Sequence, residues 1–464
     1  MVASSIKPRL IVITDIGTEP DDIESMVRLL TYANEIDIEG LIAATSRHLT
    51  STVHPELIAE RIAAYEKVLP NLRVHDPRYP DAAQLRARIR AAKPGGVGME
   101  MVGDGKDSPA SRLIVETVDK ADTRPVWISI WGGASPLAQA LWSVKATRSP
   151  AEVARFVAKL RVYSISDQDD SGPWARATSP ELFWISSIHG PGQYPLAAWT
   201  GISSVVPGSD AESVSRPWLR ANVQDKGPLG ATYPLPIFIM EGDTPAFLNL
   251  IDNGLSQPEH PDWGGWGGRW EQPSSSFGLW ADTEDSVVGV DGKEYRSNKA
   301  TVWRWRRAFQ NDFAARMAWS TAPRFADANH APQLVLNGKA GTAPLRLTTC
   351  PGQTVTLDAK GSSDPDKQAV AYKWWWYRGI GELWSPDLKL SYADGLQTAA
   401  TVPVWTQRSQ MRLPTFYTFH VILEATDTGA PTLIRYRRAV IDVPTDGRTL
   451  GGKACPKIAM MPES

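Results

Sequence analysis

The sequence predicts an α/β domain with a mainly parallel sheet and helices on both faces, followed by an all-β domain of immunoglobulin type. Three observations lead to this fold class. Short β-branched apolar runs alternate with helical patterns up to about residue 320, which is typical of βαβ units. Several helical patterns open on Ser-Pro or Thr-Pro, which supplies an N-cap and a first-turn proline. Beyond Trp319, strand patterns separated by turn signals dominate.

In the first domain, apolar runs predict strands at residues 10–13, 38–43, 126–130, 160–165 and 236–240. Amphipathic or capped segments predict helices at residues 23–34, 55–68, 82–92, 111–119, 136–144, 151–159, 180–188, 245–251 and 300–319. Residues 252–298 are polar and rich in Gly and Trp. Such a long segment without predicted elements is usually functional in a compact domain.

The second domain begins after a segment with the composition of a linker. We predict domain boundaries of 1–325 for the α/β domain, 326–333 for the linker and 334–464 for the β-sandwich. Strands are predicted at 333–336, 353–358, 370–377, 398–402, 417–425 and 436–443. Asp364, Pro365 and Asp366 favour a turn over a Ca²⁺ site, because Lys367 and Gln368 follow where further acids would help.

The bulk composition excludes several classes of partner. The 464 residues carry a net charge of −2 without a long basic block, so we expect neither nucleic acid nor a membrane as a partner. The first five residues have no signal-peptide apolar region, so the protein is either cytoplasmic or has lost a leader. Cys350 and Cys455 form either one disulfide or two buried thiols. The sequence leaves the oligomeric state open and is compatible with a homo-oligomer.

Tryptophan is unusually common, with 19 residues against 12 Tyr and 10 Phe. Most tryptophans in proteins are half-buried core residues, but an exposed indole also offers a flat apolar face for ligands such as sugar rings. The clusters at residues 263–270 and 374–376 favour that second role, and Trp266 is a predicted substrate contact.

The most informative motif places four carboxylates within eight residues of one another, at Asp15, Glu19, Asp21 and Asp22, directly after the predicted strand 10–13. Open α/β sheets bind ligands at the carboxyl ends of their strands. Like charges this close repel unless some are protonated or share a hard cation such as Ca²⁺. A helix dipole would account for Asp21 and Asp22 but not for all four, so the motif predicts a metal or substrate site.

Further oxygen-rich segments follow predicted strands or open helices, at residues 132–135, 166–170, 241–244 and 311–312. A glycosidic leaving group needs a proton donor opposite the metal. Glu241, Asp243 and Asp170 are candidates, with Glu241 first because it follows an apolar run and is expected to be poorly solvated. Capping of the helix that begins at Pro245 explains Glu241 and Asp243 equally well.

The spacing of Asp15, Gly17, Asp21 and Asp22 resembles that of the nucleoside hydrolase family. The resemblance implies that Asp15 and Asp22 ligate Ca²⁺, that Asp15 is also the general base, and that Asp21 binds sugar hydroxyls. It further implies a backbone carbonyl ligand at Ser135 and a last carboxylate ligand at Asp312.

The chain departs from that family at three places. Ile13 stands where an acid is usual, Glu19 is an additional acid, and Ser46-Arg47-His48 replaces a His-Gly-Asn turn. These differences leave the substrate open. Residues 167–170 lie where the family holds its sugar, and the predicted substrate contacts are therefore Asp21, Glu19, Asp169, Asp170, Trp266, Arg269 and His48.

A closer resemblance covers almost the whole chain. Residues 15–22, 241–247, 264–269, 311–316 and 362–366 are similar to those of a bacterial family of cellulose-binding proteins, which joins a nucleoside hydrolase-like domain to a small β domain. The resemblance implies contact with a polysaccharide and an exported protein, secreted or periplasmic, whose leader has been removed.

These observations predict a Ca²⁺-dependent glycoside hydrolase that acts on a plant-type carbohydrate. The predicted catalytic residues are Asp15, Glu241 and Asp243, and the predicted metal ligands are Asp15, Asp22, Ser135 and Asp312. Two alternatives remain, namely a nucleoside hydrolase and a carbohydrate-binding protein that keeps the cation but has no turnover.

Overall fold

The computed structural model describes residues 6–380, 386–407 and 414–460, which divide into two compact units. The α/β unit comprises Ile6–Ile251 and Ser256–Ala328, and the β unit comprises Asn329–Ser464 together with Asp252–Leu255. The short segment Asp252–Leu255 belongs to the β unit because it pairs with one of its strands. The carbonyl of Asn253 accepts a hydrogen bond from the backbone N–H of Tyr436 at 2.9 Å.

An eight-stranded sheet with the order β3-β2-β1-β4-β5-β6-β8-β7 forms the centre of the α/β unit. Neighbouring strands are parallel except β7 and β8, and β1 is buried along its whole length. The strands are β1 (Arg9–Thr14), β2 (Asp37–Ala43), β3 (Ile89–Ala91), β4 (Val126–Ile130), β5 (Leu160–Ser166), β6 (Phe183–Ser187), β7 (Trp270–Glu271) and β8 (Leu279–Asp282). A separate ribbon contains β9 (Asp285–Val288) and β10 (Glu294–Ser297).

Helices connect these strands, as βαβ units require. They are α1 (Asp21–Thr31), α2 (Pro55–His75), α3 (Ala82–Arg86), α4 (Pro109–Asp119), α5 (Ser135–Thr147), α6 (Pro150–Ala158), α7 (Ser171–Thr178), α8 (Arg216–Leu219), α9 (Gly227–Gly230), α10 (Pro245–Leu248), α11 (Ala300–Trp303) and α12 (Arg306–Trp319). Short 3-10 turns follow β6 at Tyr194–Leu196 and Ala198–Ile202. The predicted fold class is confirmed. None of the helices in the described ranges combines the length and apolarity needed to cross a membrane.

Two sequence predictions in this unit are wrong for identifiable reasons. The helix predicted at 180–188 is largely strand β6, because the aromatic and β-branched residues after Leu182 suit a buried strand better than a helix. The strand predicted at 236–240 is an irregular loop. Pro234 and Pro236 lack the N–H that a ladder needs, and the side chains of Ile237 and Phe238 are 68% and 81% exposed.

Two further segments differ in detail. The helix predicted at 82–92 ends at Arg86, and the remainder contains the edge strand β3. The segment 252–298, for which no element was predicted, contains the four short strands β7 to β10.

The β unit contains two main sheets, with the orders β13-β20-β19-β15 and β14-β17-β16, and both contribute to one core that includes Leu357, Trp374 and Phe419. Cys350 and Cys455 form a disulfide with a Cα–Cα distance of 5.1 Å. The strands are β11 (Val335–Leu336), β12 (Lys339–Ala340), β13 (Leu345–Thr348), β14 (Thr354–Asp358), β15 (Ala371–Trp376), β16 (Lys389–Leu390), β17 (Gln397–Thr401), β18 (Thr406–Gln407), β19 (Phe416–Thr426), β20 (Ile434–Pro444), β21 (Thr449–Leu450), β22 (Lys453–Ala454) and β23 (Ala459–Met460).

Candidate functional site

A cluster of buried aspartates lies at the carboxyl end of β1. Asp21 and Asp22 are the first residues of α1, and Asp243 comes from the turn before α10. Carboxylate oxygens of these three residues all lie within 4.8 Å of one another. We call Asp21, Asp22 and Asp243 the acidic cluster. Asp15 follows β1 directly and lines the same cavity as the cluster. Burial is the main cause of the raised pKa values of Asp22 and Asp243, and the charge of Asp15 raises them further.

Short side chains of neighbouring elements hold two of these carboxylates. The hydroxyl of Thr14 donates a hydrogen bond to Asp22, and the hydroxyl of Ser46 donates one to Asp15. Gly132 follows β4, and a Cβ at this position would lie 2.4 Å from Asp15 Oδ1. The carboxylate of Asp15 therefore packs directly against the backbone after β4, which a larger residue would prevent.

A buried polar network positions Asp243. Glu241 has a left-handed backbone with φ of 53°, and its carboxylate forms an ion pair with Arg28 and accepts hydrogen bonds from Tyr233 at 2.8 Å and Thr244 at 2.9 Å. Its backbone N–H donates to Glu24 at 2.8 Å. A left-handed non-glycine residue is costly and needs support from its surroundings. The network provides that support and fixes the turn that carries Asp243.

No Lys, Arg or His side chain in the described ranges lies within ion-pair distance of the acidic cluster, although His48, Arg216 and Lys299 line the same cavity. Asp15, Asp21, Asp22 and Asp243 form no ion pair there with Lys, Arg or His, and each is at most 8% exposed. Burial raises the pKa of Asp15 to about 6. Burial, followed by the charge of Glu19, raises the pKa of Asp21 to about 7, and burial raises the pKa values of Asp22 and Asp243 well above the usual range.

The residues of the cluster fit a hard divalent cation. The atom Asp243 Oδ2 is buried and has no hydrogen-bond partner within the described part of the chain, although a buried charged oxygen without a partner is costly. All the donors are carboxylate oxygens, and no His or Cys belongs to the group. Oxygen-only sites suit Ca²⁺ or Mg²⁺ rather than Zn²⁺, so the donor set agrees with the predicted calcium.

The acidic cluster and Asp15 line a cavity of about 760 Å³, a volume typical of small-molecule sites. Aromatic side chains form much of its wall, and three predicted or neighbouring polar groups, Glu19, His48 and Gln168, also line it. The Nε2 atom of His48 lies 3.0 Å from the hydroxyl of Tyr194. Gln168 donates to the carbonyl of Trp131 at 2.8 Å, and its own Oε1 is buried without a described partner.

Glu241 and Arg269 do not line this cavity, which corrects their predicted roles. The carboxylate of Glu241 is fully buried and used by the network described above, so it is not available as a proton donor to a ligand. Arg269 is ion-paired with Asp285 at 2.7 Å and with Glu271. Arg269 therefore links the loop that precedes β7 with strand β9, and it does not bind substrate.

Trp266 and Asp312 are also structural. Trp266 is fully buried, and its ring contacts Phe309 edge to face at 6.5 Å. The carboxylate of Asp312 accepts a hydrogen bond from Tyr32 at 2.8 Å and pairs with Arg316 at 3.0 Å. Asp312 is absent from the group of aspartates that meet, and the third member of that group is Asp243.

Three more predicted residues lie outside the cavity lining. Ser135 begins α5. Asp169 accepts hydrogen bonds from the backbone and hydroxyl of Ser171, while Asp170 accepts one from the backbone N–H of Met99 at 2.7 Å. The structure thus brings together Asp15, Glu19, Asp21, Asp22, Asp243 and His48, but not Ser135, Asp169, Asp170, Glu241, Trp266, Arg269 and Asp312.

Sequence reasoning missed most of the aromatic wall. Trp131, Tyr194, Trp199 and Phe238 line the cavity. Each stands alone in the sequence, outside the Trp clusters at residues 263–270 and 374–376. Trp131 carried a usable signal, because it is the first residue after β4 and therefore lies at the ligand-binding edge. The other three lie in irregular or 3-10 segments whose position depends on tertiary structure.

Comparisons with known proteins cover both units. A model of the family described as cellulose-binding Sde182, nucleoside hydrolase-like domain, matches residues 9–270, and one described as cellulose-binding protein Sde0182, C-terminal domain, matches residues 354–443. A solved nucleoside hydrolase-related hypothetical protein from Saccharophagus degradans, associated with carbohydrate metabolism, is 35% identical with a TM-score of 0.79. The alignment covers 94% of this chain and 100% of that chain.

Other similarities are slight. The PKD domain from KIAA 1837 protein is 21% identical with a TM-score of 0.15, over 23% of this chain and 87% of that one. Murine CRIg is 14% identical with a TM-score of 0.14, over 25% of this chain and 98% of that one. No curated protein matches the chain.

Proposed function

Because the chain belongs to the family of cellulose-binding Sde182 proteins with a nucleoside hydrolase-like domain, we propose that its cavity hydrolyses a glycosidic bond of a plant-type carbohydrate with the help of Ca²⁺. The observation that carries this proposal is the buried acidic cluster, without an ion-pair partner in the described ranges, at the floor of a cavity. A cluster that served the fold alone would be compensated by donors or cations.

The residues of the cavity divide the work. Asp21, Asp22 and Asp243 would hold the cation, which would act as a Lewis acid and lower the pKa of a water molecule when bound. Asp15 accepts the proton of the attacking water, and the Ser46 hydroxyl orients its carboxylate. The surrounding carboxylates stabilise the positive charge that develops on the sugar ring during glycosidic cleavage.

His48 and Tyr194 are the proposed proton donors to the leaving group. Both line the cavity and lie 3.0 Å apart, whereas Glu241 and Asp170 do not line it and Asp243 belongs to the cation site. A His paired with a hydroxyl group suits proton transfer at near-neutral pH.

The Cys350–Cys455 disulfide supports an exported protein, secreted or periplasmic, because disulfides persist in oxidising compartments. The description of the family as cellulose-binding supports a carbohydrate as the partner.

The test is sugar release from a panel of oligosaccharides, aryl glycosides and nucleosides, with Ca²⁺ or with a chelator. We expect release that depends on Ca²⁺ and falls at least about 100-fold in Asp22→Asn, since removal of a ligand costs more than the loss of an outer-shell partner. Asp170→Asn is the matched control, because Asp170 is an exposed aspartate outside the cavity. Release that survives both chelation and Asp22→Asn would refute the proposal.

The same panel tests the two alternatives. The family is described as cellulose-binding, and retention on insoluble cellulose without sugar release would support a protein that binds carbohydrate without turnover. Release of base from nucleosides, and not of sugar from glycosides, would identify a nucleoside hydrolase.

A further inference from the structure

The mouth of the cavity carries an unusual amount of exposed apolar surface. Val205, Pro236, Ile237 and Phe238 all line the cavity, and Val205, Ile237 and Phe238 are 72%, 68% and 81% exposed. We call these four residues the apolar rim. Contiguous exposed apolar surface normally marks a binding site.

The apolar rim and the acidic cluster belong to one continuous cavity. The cluster lies at its buried floor, where each carboxylate is at most 8% exposed, and the rim lies at the solvent side. The cavity therefore has a polar end that suits hydroxyl groups and an apolar end that does not. A ligand that fills both ends must itself be amphiphilic.

The four residues of the rim offer few hydrogen-bonding groups to a second sugar, although Ser204, Arg216 and Lys299 also line the cavity. The four rim side chains have no donor or acceptor, and the carbonyl of Pro236 already accepts a hydrogen bond from Arg216 at 3.3 Å. The hydroxyl of Ser203, in the adjoining wall, accepts one from the backbone of Met240 at 3.3 Å. Sites that recognise sugars need several placed polar groups besides a flat apolar face.

We propose that the substrate is a small glycoside with an apolar aglycone, aryl or alkyl, that binds at the apolar rim while its sugar ring faces the acidic cluster. This inference rests on the proposed function and specifies its substrate class. In the reaction, the oxygen of water bonds to the anomeric carbon and gives its proton to Asp15. The bond from that carbon to the aglycone oxygen breaks, and the aglycone takes a proton from His48 and leaves as a phenol or alcohol.

An aryl leaving group also agrees with the proton donors that line the cavity. A phenol is a better leaving group than a sugar hydroxyl and needs less help from an acid. No carboxylic acid outside the Asp15–Asp22 segment and Asp243 lines the cavity in the part of the chain that the structure describes, so His48 and Tyr194 suffice for this substrate class.

The experiment measures binding by calorimetry with full-length protein and Ca²⁺. The probes are 2-naphthol and paired methyl and 2-naphthyl glycosides of glucose, galactose and xylose. We expect wild type to bind 2-naphthol, and to bind naphthyl glycosides at least about tenfold more tightly than methyl glycosides, because the rim removes the ring from water. Equal affinity for the two members of each pair would overturn the inference.

Variants of the rim locate the site. Ile237→Ser and Phe238→Ser are expected to weaken 2-naphthol binding about fivefold each, and Val290→Ser is the matched control because Val290 lies outside the cavity and is also 68% exposed. Equal binding by all three variants would overturn the inference. Asp22→Asn is expected to keep 2-naphthol binding while it loses sugar release. If 2-naphthol binding depends on the rim but the protein releases no sugar, the proposed function is refuted and the apolar binding site is still supported.

Discussion

Each unit contains an acidic turn built around a proline, and the two turns use their carboxylates differently. In the β unit, Asp364 Oδ1 accepts a hydrogen bond from the backbone N–H of Asp366 at 2.8 Å, although Asp364 Oδ2 is buried without a partner in the described ranges. Asp366 accepts hydrogen bonds from the backbone N–H and the ring of His330, whose pKa is lowered by burial. In the α/β unit, Asp21 and Asp22 follow Pro20 and meet Asp243, with no ion pair to any side chain in the described ranges. The β-unit turn is as the sequence predicts.

The difference shows that the density of acid in a turn does not identify a site. What distinguishes the α/β turn is that a carboxylate from a distant segment joins it, so that oxygens of three aspartates all lie within 4.8 Å of one another. Glu241 makes the same point within one unit, because it is buried as deeply as Asp243 but has Arg28 as its partner. Compensated acids hold the fold, and uncompensated acids are free to bind a ligand.

The largest expected effect comes from replacement of Arg28, whose guanidinium pairs with the carboxylate of Glu241. Arg28→Met leaves a buried carboxylate without its partner, and breaking a buried ion pair costs about 3–5 kcal/mol. Hydrogen exchange of the α1 amides measures this loss of stability. The control is Arg296→Met, because Arg296 pairs with Glu284 at the surface, with 64% of its side chain exposed, and exposed pairs contribute about 1 kcal/mol at most. Similar effects of the two substitutions would contradict the structural role of Glu241.

The second prediction concerns the uncompensated cluster. Ca²⁺ at about 100 times its dissociation constant should stabilise the α/β unit by about 2.7 kcal/mol, measured by exchange of the same α1 amides. Asp22→Asn should abolish the response and Asp366→Asn should keep it, since Asp366 already has a partner. If Asp366→Asn abolished the stabilisation by Ca²⁺ and Asp22→Asn kept it, the cation would act through the β-unit turn and not through the acidic cluster.

The sequence predicts the scaffold and half of the site. Strands β1 and β4 are buried along their whole length and consist mainly of apolar residues, so their pattern identifies them and places Asp15, Asp21 and Asp22 at the ligand-binding edge. The third carboxylate of the cluster is Asp243 and not Asp312, which the family resemblance implied, because the partner depends on which distant turn reaches α1. Tyr32, which donates a hydrogen bond to Asp312, is 280 residues away from it, and no local pattern reveals that contact. The spacing of Asp312 and Arg316, four residues apart in one helix, was a local sign of an ion pair.

The apolar segment 236–240 illustrates a different limit. Apolar residues predict burial, and burial in this context predicted a strand. The structure exposes Ile237 and Phe238 at a cavity instead. Sequence patterns do not distinguish residues that are buried by the protein from residues that a ligand would bury, and Pro234 and Pro236 were the available warning.

The third prediction tests a carboxylate whose donors are all neutral. Asp282 accepts hydrogen bonds from Ser187, Ala198 and Asn298, and burial nevertheless raises its pKa. Since the folded-state pKa exceeds the unfolded value of about 3.9, its contribution to stability is complete below that pH and is lost as pH rises through the folded pKa. The free energy of unfolding of wild type relative to Asp282→Asn should therefore fall from about pH 4 upward. A difference that is constant or rises with pH would contradict this.

The smallest effect is expected for the acidic turn of the β unit. Asp366 accepts hydrogen bonds from the backbone N–H of His330 at 2.7 Å and from its ring. Asp366→Asn keeps one acceptor oxygen, so we expect a loss of about 0.5–1.5 kcal/mol, the usual contribution of a hydrogen bond, measured by exchange of the β19 amides. Asp442→Asn is the control. It makes the same Asp-to-Asn change at a carboxylate that accepts a hydrogen bond from the hydroxyl of Thr418 at 2.9 Å, but Asp442 lies in strand β20 and not in the acidic turn. If Ca²⁺ stabilised wild-type β19 but not the Asp366→Asn protein, this turn would bind the cation and the contrast between the two acidic turns would fail.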